Sequence, residues 1–454
     1  MDSERQYLDL YREHAAALRA NSCEAMNALR DGAAALLAAG GLPGRSEERY
    51  KYTDAREAFA PDYGVNLRRL TDGRDPYTAY RCSVPNLSTA LFFVVNDVPC
   101  PAAPASLAQL PEGVVVDSIR AVAQSRPQLL QDFYGRAASA DRGFRSGRDG
   151  VTLLNTLLAQ DGLVVYVPDG VRVPQPVQIV NVNAARADML SSRRLLVVAG
   201  RGAELSLLLC DHSEEGARYL TTQVAEVYAA EDSTVGVFSV EETNDATTRF
   251  STVYVEQEAR SSVNYDGVTL TCGRTRNRLD VRLRGEGART ALYGAVIADG
   301  GQRVDNNILV EHLAPGCESD MLYKYVLDGQ SVGAFAGKVY VEKDAQRTVS
   351  RQTNANICAS PAARAFSQPM LEIYADDVRC NHGSSTGRLD EGALLYMRQR
   401  GIPEAEARLM LQHAFVNEVL RHVSIPRLQE RLSHLVDLRF RGELGHCRGC
   451  RACK

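Results

Sequence analysis

The feature that most constrains the fold of this chain is a long succession of short apolar segments that begins near residue 162. Runs such as "GLVVYVPDG", "AELSLLLC", "TVGVFSVEE" and "MLYKYVLDG" are rich in Val, Leu and Tyr, and Gly, Asp, Asn or Pro separates them. A spacing of about 8 to 12 residues between such runs is typical of all-β proteins. Because no helical pattern interrupts the series before residue 390, we expect one large β body in the middle of the chain.

Three β architectures compete for this body: a sandwich, a barrel and a solenoid. A dozen or more strands is long for one sandwich, which usually holds about seven to nine. A solenoid stacks turns of about 20 residues, each with two or three short strands between Gly, Asn or Asp corners. The runs between residues 203 and 242 fit that rhythm, although no strict hexapeptide or nonapeptide repeat is present. The pattern therefore favours the solenoid.

Helical patterns lie on both sides of the β body. The stretch "AMNALRDGAAALLAAGGLPG" ends at Gly and Pro, which form a common helix stop. Later, "DEGALLYMRQRG" begins with the candidate N-cap Asp390, and "IPEAEARLMLQHAFVNEVLRHV" carries Pro403 at its start. The chain therefore divides into a helical and mixed region at 1–160, the β core at 161–389, a helical region at 390–441 and a Cys-rich tail at 442–454.

Composition and missing motifs exclude several classes of function. The net charge is −4, so no basic field suggests a nucleic-acid ligand. The chain has no G-x-x-x-x-G-K-[ST] phosphate loop, G-x-S-x-G elbow or H-E-x-x-H motif. The charged start "MDSERQYLDLYREH" is unlike a secretory signal, and no run approaches the roughly 18 apolar residues that span a bilayer. We therefore expect a cytoplasmic protein whose 11 cysteines stay reduced by default.

Cys380 and His382 are the first candidate for chemistry, and they follow the strand-like "LEIYADDVR". If Cys380 ends an extended strand, both side chains point the same way, with Cα atoms roughly 6 to 7 Å apart. That separation is loose for a catalytic dyad but suits two groups that face a partner surface or a multinuclear metal centre. Thiolate and imidazole are also ligands that suit iron and iron–sulfur clusters. The structural alternative is a half-buried Cys beside a solvated turn His.

The C-terminal "GHCRGCRACK" is the second candidate, because Cys447, Cys450 and Cys453 form C-x-x-C-x-x-C beside His446. This spacing resembles the local half of a ferredoxin cluster motif, but a fourth distant Cys and the Pro are absent. A tail whose thiols do nothing in the folded body is the alternative. A third set lies within the β body and is expected to be structural or on the surface: Glu311, His312 and Cys317.

Several stretches carry a family resemblance. "PMLEIYADDVRCNHGSSTGRLDEGALLYMRQRGIPEAEARLML" closely resembles the SufB/SufD family of iron–sulfur cluster assembly scaffolds. "YKYVLDGQSVGAFAGKVYVEKDAQRTVSRQTNANICAS", "LLNTLLAQDGLVVYVPDGV" and "GLPGRSEERYKYTD" are similar to further parts of that family, so the resemblance spans most of the chain. The Cys-x-His-Gly form resembles the SufD-type branch, and Tyr50 stands where the family usually has Trp. The C-terminal cysteine motif is not part of the general pattern.

The resemblance implies a right-handed parallel β-helix core flanked by helical regions. It also implies a non-catalytic subunit of a SufBCD-type complex that assembles iron–sulfur clusters. The β-helix would pair with a SufB-like sister subunit, and the C-terminal helices, with segment 402–422 as the handle, would bind a SufC-like ATPase. Cys380 and His382 would present iron or a transient cluster at the sister interface. The chain itself would bind no nucleotide, and an isolated chain could form a homodimer.

Two other functions stay open on the residues alone. A β-helix polysaccharide lyase or hydrolase would need paired carboxylates in a groove, and no pair at diagnostic spacing is present. A stand-alone metal or redox protein would use the C-terminal C-x-x-C-x-x-C.

Overall fold

The computed structural model describes residues 3–80, 84, 86–139 and 149–444. A mixed region of helices and short strands comes first in the chain and precedes a stack of parallel strands. Its elements have these bounds: Ser3–Ala20 (α1), Glu24–Gly40 (α2), Ala55–Ala58 (α3), Gly64–Val65 (β1), Pro76–Ala79 (α4), Ala90–Val95 (β2), Val98–Pro99 (β3), Pro104–Leu107 (α5), Val115–Ser118 (β4), Ile119–Ser125 (α6), Pro127–Phe133 (α7) and Gly150–Leu158 (α8).

A continuous series of strands forms the body of the molecule. Their bounds are Leu163–Val167 (β5), Val177–Asn183 (β6), Met189–Ala199 (β7), Glu204–Ser213 (β8), Tyr219–Ala229 (β9), Thr234–Glu242 (β10), Thr247–Gln257 (β11), Ser262–Thr271 (β12), Arg274–Leu283 (β13), Arg289–Ala298 (β14), Arg303–His312 (β15), Glu318–Leu327 (β16), Val332–Val341 (β17), Thr348–Cys358 (β18), Arg364–Ile373 (β19) and Val378–Gly387 (β20).

These strands alternate between two sheets. The odd sheet contains the odd-numbered strands from β5 to β19 in order, and the even sheet contains the even-numbered strands from β6 to β20. Each strand from β7 to β18 pairs in parallel with the strands two positions before and after it, as β10 does with β8 and β12. The chain therefore winds as a β-solenoid, and the prediction of a parallel β-helix between flanking helices is confirmed.

The turns of this solenoid are longer than the sequence pattern predicted. Thr234 lies beside Ser262, Ser262 beside Arg289, and Arg289 beside Glu318, so successive turns take 28, 27 and 29 residues. The expected turn of about 20 residues is wrong. The reason is that each turn holds two long strands, such as the ten-residue β14 and β15, rather than two or three short ones.

One corner of the solenoid repeats the same backbone conformation in turn after turn. Where an odd strand leads into the next even strand, a residue with positive φ reverses the chain. These residues are Gly202, Asp232, Arg260, Gly287, Gly316 and Arg347, which we call the corner ladder. The N–H of each donates to a carbonyl one turn further on, as the N–H of Gly287 does to the carbonyl of Pro315 at 3.1 Å. This repeated hydrogen bond helps to fix the spacing between neighbouring turns.

The interior between the two sheets has an apolar half and a polar half. Val, Leu, Ala and Tyr side chains from both sheets fill the apolar half. In the polar half, Arg193 and Arg249 both donate to the carboxylate of Asp211, at 2.6 and 2.8 Å, and Arg249 also donates to Asn277 at 2.7 Å. Because an unpaired charge is costly to bury, this shared pairing is what allows arginines inside the solenoid.

The C-terminal helices pack on the outer face of the even sheet. Their bounds are Glu391–Gln399 (α9), Glu404–Leu420 (α10) and Pro426–Phe440 (α11). Asp390 caps α9 by accepting two backbone N–H groups, as predicted. The ammonium group of Lys324 on β16 pairs with Glu418 of α10, and the ring of Tyr293 stacks on His422, with centroids 4.0 Å apart. Within the described ranges, no helix is long and apolar enough to cross a membrane.

The N-terminal region packs on the outer face of the odd sheet. Helix α2 lies against α8, which contacts β7 and β9. A segment at residues 48–53, which we call the strap, reaches further along the solenoid. Arg49 pairs with Asp280 of β13 at 2.7 Å, and Thr53 donates to Asp305 of β15 at 2.6 Å. Both sheets therefore carry helical regions on their outer faces.

Candidate functional site

The last turn of the solenoid is open. Strand β19 pairs with β17 and strand β20 pairs with β18, and no strand of the described chain lies on their other sides. Three large apolar side chains are exposed on this turn, Phe366 (39%), Ile373 (37%) and Tyr374 (55%), and Val349 (43%) is exposed on the adjacent β18. We call β19, β20 and these side chains the open end. Unpaired strand edges with an apolar rim form a surface suited to pairing with another chain.

Cys380 and His382 lie on β20, the outermost strand of the even sheet. Their partners on β18 are Ser350 and Gln352. Residues two apart on a strand point to the same face, so the two side chains share the inner face of the sheet. Cys380 is half-buried against the apolar half of the interior, whereas His382 is exposed. The pair therefore sits where the solenoid interior meets the open end.

The strand does not end at Cys380, as the sequence pattern suggested. "LEI" closes β19 at Ile373, a turn follows, and β20 then runs from Val378 to Gly387. His382 is therefore a strand residue and not a turn residue. The pattern looked like a polar turn because most of β20 is exposed and carries small polar residues. At Gly383, an added Cβ would meet no atom within 4 Å, so the outer face of β20 next to His382 is open.

Burial controls the protonation of the thiol at this site. It raises the pKa of Cys380 above its ordinary value, and a hydrogen bond from the backbone of Ser350 partly opposes this shift. At neutral pH the free side chain is therefore a thiol and not a thiolate. Because the thiolate is the form that binds metals, any metal ion bound at Cys380 would have to displace this proton.

In the third candidate set, His312 and Cys317 lie inside the solenoid, one to two turns below the open end, whereas Glu311 lies on the outer face of the odd sheet. His312 Nε2 is 2.9 Å from Ser319 Oγ, which is 2.8 Å from Ser350 Oγ. Burial lowers the pKa of His312 to about 3, so this imidazole is neutral. Glu311 accepts a hydrogen bond from an arginine on the neighbouring strand at 3.1 Å, and the Cys317 thiol donates to a backbone carbonyl at 3.3 Å. Each of these residues thus has a partner within the fold.

The described residues contain no group of three or more His, Cys, Asp and Glu side chains that could hold a metal ion. Among the described residues, Cys380 and His382 therefore have no third side chain that would complete a metal site. Cys447, Cys450 and Cys453 lie outside the described residues.

A groove of about 850 Å³ runs along the outer face of the even sheet towards the open end. Each acidic side chain that lines it is paired with an arginine. Glu318 lies 3.6 Å from Arg289, for example, and Asp320 lies 3.1 Å from Arg351. The groove therefore lacks the free pair of carboxylates that a polysaccharide-cleaving enzyme would use.

Sequence reasoning found the thiol and the imidazole but missed the apolar rim. Phe366 and Ile373 read in the sequence like the core residues of any other strand. A signal for them existed in the chain order, because β19 and β20 are followed by helices and the last strands of a solenoid have no successor to pair with.

These features define a class of protein: a parallel β-helix with helical regions on both outer faces, an open last turn, and a thiol and an imidazole on its outermost strand. The family model described as "SUF system FeS cluster assembly, SufBD core domain" matches residues 181–415. The model described as "SufBD protein N-terminal region" matches residues 1–179. The chain belongs to the SufBD family of iron–sulfur cluster assembly proteins, as its motifs predicted.

Curated relatives carry names that agree with this family. The chain is 25% identical over 419 residues to an iron–sulfur cluster assembly SufBD family protein of Synechocystis, and the match covers 90% of each chain. It is 22% identical over 327 residues to the iron–sulfur cluster assembly protein SufD of Bacillus subtilis, covering 72% of this chain and 74% of that protein. It is 29% identical over 167 residues to SufD of Escherichia coli, covering 37% of this chain and 40% of that protein.

Proposed function

We propose that this chain is a non-catalytic scaffold subunit of a SufBCD-type complex that assembles iron–sulfur clusters. The observation that carries the proposal is the position of Cys380 and His382 on an edge strand at the open end. There the two side chains would lie beside the inner-face side chains of any chain that pairs with β20, and that chain can supply further ligands for iron or a transient cluster. The cluster is cargo that the complex builds and passes on, not a resident cofactor of this chain.

The proposed partner at the open end is a SufB-like sister subunit. A second β-helix of similar pitch would continue both sheets and satisfy the free backbone groups of β19 and β20. It would also bury the apolar rim, which includes Ile373 and Tyr374. When the sister is absent, a second copy of this chain would use the same surface, so the isolated protein would form a homodimer.

The proposed partner at the C-terminal helices is a SufC-like ATPase, with segment 402–422 as its handle. This chain lacks a phosphate loop and would bind no nucleotide itself, so the ATPase activity must come from another subunit. Leu395 and Tyr396 of α9 are 55% and 57% exposed, and Met410 of α10 is 46% exposed. Exposed apolar side chains grouped on neighbouring helices support a docking surface.

The contacts of α10 suggest how the ATPase would act on the site. Lys324 of β16 pairs with Glu418 and lies 4.3 Å from the ring centroid of Phe415, both on α10. β16 pairs with β18, which pairs with β20. A force on α10 would therefore be transmitted to the even sheet two strands from the site. In this proposal, nucleotide-driven movement of the helices opens the sister interface and exposes Cys380 and His382 to iron.

The test is to purify this chain together with the SufB-like and SufC-like chains of its own organism and to measure cluster formation by iron and sulfide content. We expect His382→Ala and Cys380→Ser to lower the cluster content while the complex stays intact. Cys358→Ser is the matched control, because Cys358 is a half-buried thiol about 26 Å along β18 from Ser350. If His382→Ala leaves cluster formation by the whole complex unchanged, the site assignment fails.

The C-terminal Cys447, Cys450 and Cys453 are proposed as a separate metal-binding group of undetermined role. Metal analysis of a chain that ends at Arg441, compared with the full chain, would separate binding by this group from binding at Cys380 and His382. We also propose a cytoplasmic location, which the free thiols of the described cysteines support.

A further inference from the structure

The strap, residues 48–53, belongs to a motif that the cluster site does not explain. Arg49 donates to both carboxylate oxygens of Asp280, at 2.7 and 3.2 Å, and to Asn307 at 2.6 Å. Arg276 donates to the backbone carbonyl of Arg49 and pairs with Asp305, which also accepts from Thr53. These bonds hold the strap on the outer faces of β13 and β15.

Tyr50 anchors the middle of the strap to the rest of the fold through burial and side-chain contacts. Its ring is 5% exposed, and its hydroxyl donates to Asp149 at 2.8 Å. The guanidinium of Arg276 lies 3.9 Å from the centroid of the same ring. A residue fixed by burial, a hydrogen bond and a cation–π contact leaves its neighbours little freedom. Lys51 and Tyr52 are therefore presented in a set position.

That position is at the edge of the odd sheet. Tyr52 stacks on Phe366 of β19, with ring centroids 5.0 Å apart and planes 23° from parallel, and its hydroxyl lies 3.4 Å from Gln368 Oε1. Lys51 is exposed, and its Nζ lies 5.6 Å from the Tyr52 ring. β19 is the last strand of its sheet, so Tyr52 covers the outer face of the strand to which a partner would add.

We infer that the strap is a second contact for the sister β-helix, in addition to the strand edges, and this inference rests on the proposed function. A strand that adds to β19 would lie about 4.8 Å from it, and its outer-face side chain beside Phe366 would share the face of the sheet that Tyr52 covers. The partner residue beside Phe366 would then lie within reach of the Tyr52 ring. The partner chemistry that fits is an edge strand with an apolar or aromatic side chain there and an acidic group near Lys51.

The test measures the dissociation constant between the full-length chain and its SufB-like sister by isothermal titration calorimetry. We expect Tyr52→Ala to raise the dissociation constant at least tenfold, and Tyr52→Phe, which keeps the ring stack, to change it less than threefold. Lys51→Glu should raise it at least threefold at low salt and less at high salt, because the contact is exposed to solvent.

Two control variants match these changes at the far end of the molecule. Tyr166→Ala removes a half-buried tyrosine of β5 that lies 5.3 Å from the Arg126 guanidinium, and Arg186→Glu reverses an exposed charge in the turn before β7. Both should leave the dissociation constant within twofold of wild type. Thermal unfolding of each variant alone separates loss of binding from loss of fold.

Ile373→Asp, which places a charge on the apolar rim, distinguishes failure of the inference from failure of the proposed function. If Ile373→Asp weakens binding but Tyr52→Ala and Lys51→Glu bind like wild type, the strap inference is wrong and the sister interface stands. If Ile373→Asp also binds like wild type, the open end is not the sister interface and the proposed function fails with it.

Discussion

Asp266 is a buried carboxyl group on the outer face of β12. It is 2% exposed, and its Oδ2 accepts a hydrogen bond from the side-chain amide of Asn264 at 2.6 Å. Its Oδ1 has no hydrogen-bond partner among the described residues. Burial without a cationic partner raises the pKa of Asp266 to about 7. The folded protein therefore holds a proton on this side chain over a range where the unfolded chain has lost it.

This shift makes stability fall as pH rises. Below the ordinary pKa of 3.8, both the folded and the unfolded state hold the proton. Between pH 3.8 and about 7 only the folded state keeps it, so the free energy of unfolding falls as pH rises. Above about 7 both states have lost the proton, and the loss of stability stays constant. Asp266→Asn removes this pH-dependent loss of stability, because the amide does not titrate. We expect the difference in free energy of unfolding between the variant and wild type to be near zero at pH 4. By pH 8 the variant should be more stable than wild type by roughly 2 to 4 kcal/mol.

Asp299 provides the opposite control. The guanidinium of Arg439, 2.9 Å away, lowers the pKa of Asp299. Asp299→Asn should therefore lower stability near neutral pH and have less effect as pH falls below the ordinary carboxyl range. Urea unfolding at several pH values checks both variants. A difference for Asp266→Asn that does not change between pH 4 and pH 8 would contradict the assignment.

Gly294 packs so closely against the Tyr323 ring inside the solenoid that a larger residue does not fit. A Cβ at this position would lie 2.1 Å from an edge carbon of the Tyr323 ring, which is itself packed in the core. We expect Gly294→Ala to destabilise the protein by about 1 to 3 kcal/mol, because the ring must shift in a dense interior. Gly267 is the partner of Gly294 on β12, and its added Cβ would meet Tyr265 at 3.4 Å. Gly267→Ala should therefore cost clearly less when both are measured by chemical unfolding.

Among the elements, the corner ladder can be tested at Gly287. Its φ is +71°, and the nearest atom to an added Cβ is 3.7 Å away, so there is space for a methyl group but not a favourable backbone conformation. We expect Gly287→Ala to cost about 1 to 2 kcal/mol from the backbone alone. Gly301 lies in a corner of the opposite kind, has no positive φ and has no neighbour within 4 Å of an added Cβ. A loss of stability in Gly301→Ala as large as in Gly287→Ala would show that the cost is not conformational.

The sequence predicts individual elements of this fold better than their pairing. Alternating apolar residues mark most strands, and the cap at Asp390 marks the start of α9. Strand partners, however, lie 27 to 29 residues apart, as in the series Thr234, Ser262, Arg289 and Glu318. A period of two along one strand carries no information about the next turn, so the turn length was predicted wrongly.

For the candidate site, too, the sequence predicts the local features but not those that depend on strand pairing. Its ligand types and their shared face follow from Cys-x-His on an extended strand. That β20 is an edge strand follows only from the pairing of the whole solenoid. The polar half of the interior is also invisible in the sequence, because Arg193 and Arg249 look like surface residues until Asp211 is placed between them.

For the whole molecule, the open end predicts self-association of the isolated chain. Its two strand edges are unpaired in the described chain, and Ile373 and Phe366 are 37% and 39% exposed. We expect sedimentation velocity to show a dimer whose fraction rises with concentration, and Ile373→Asp to shift the protein to monomer. Leu107→Asp is the control, because Leu107 is 49% exposed on α5, away from the open end. A dimer that survives Ile373→Asp but not Leu107→Asp would place the contact elsewhere.

The strap has a consequence for how this molecule can change its length during evolution. Solenoids commonly gain or lose whole repeats, because each turn contacts only its neighbours. Here Arg49, Thr53 and Tyr52 contact β13, β15 and β19, which spans about 14 Å of the odd sheet. One extra turn inserted between β13 and β19 would carry Phe366 about 4.8 Å away from Tyr52. The number of repeats in this part is therefore fixed, and homologues of different length should differ in the turns before β13.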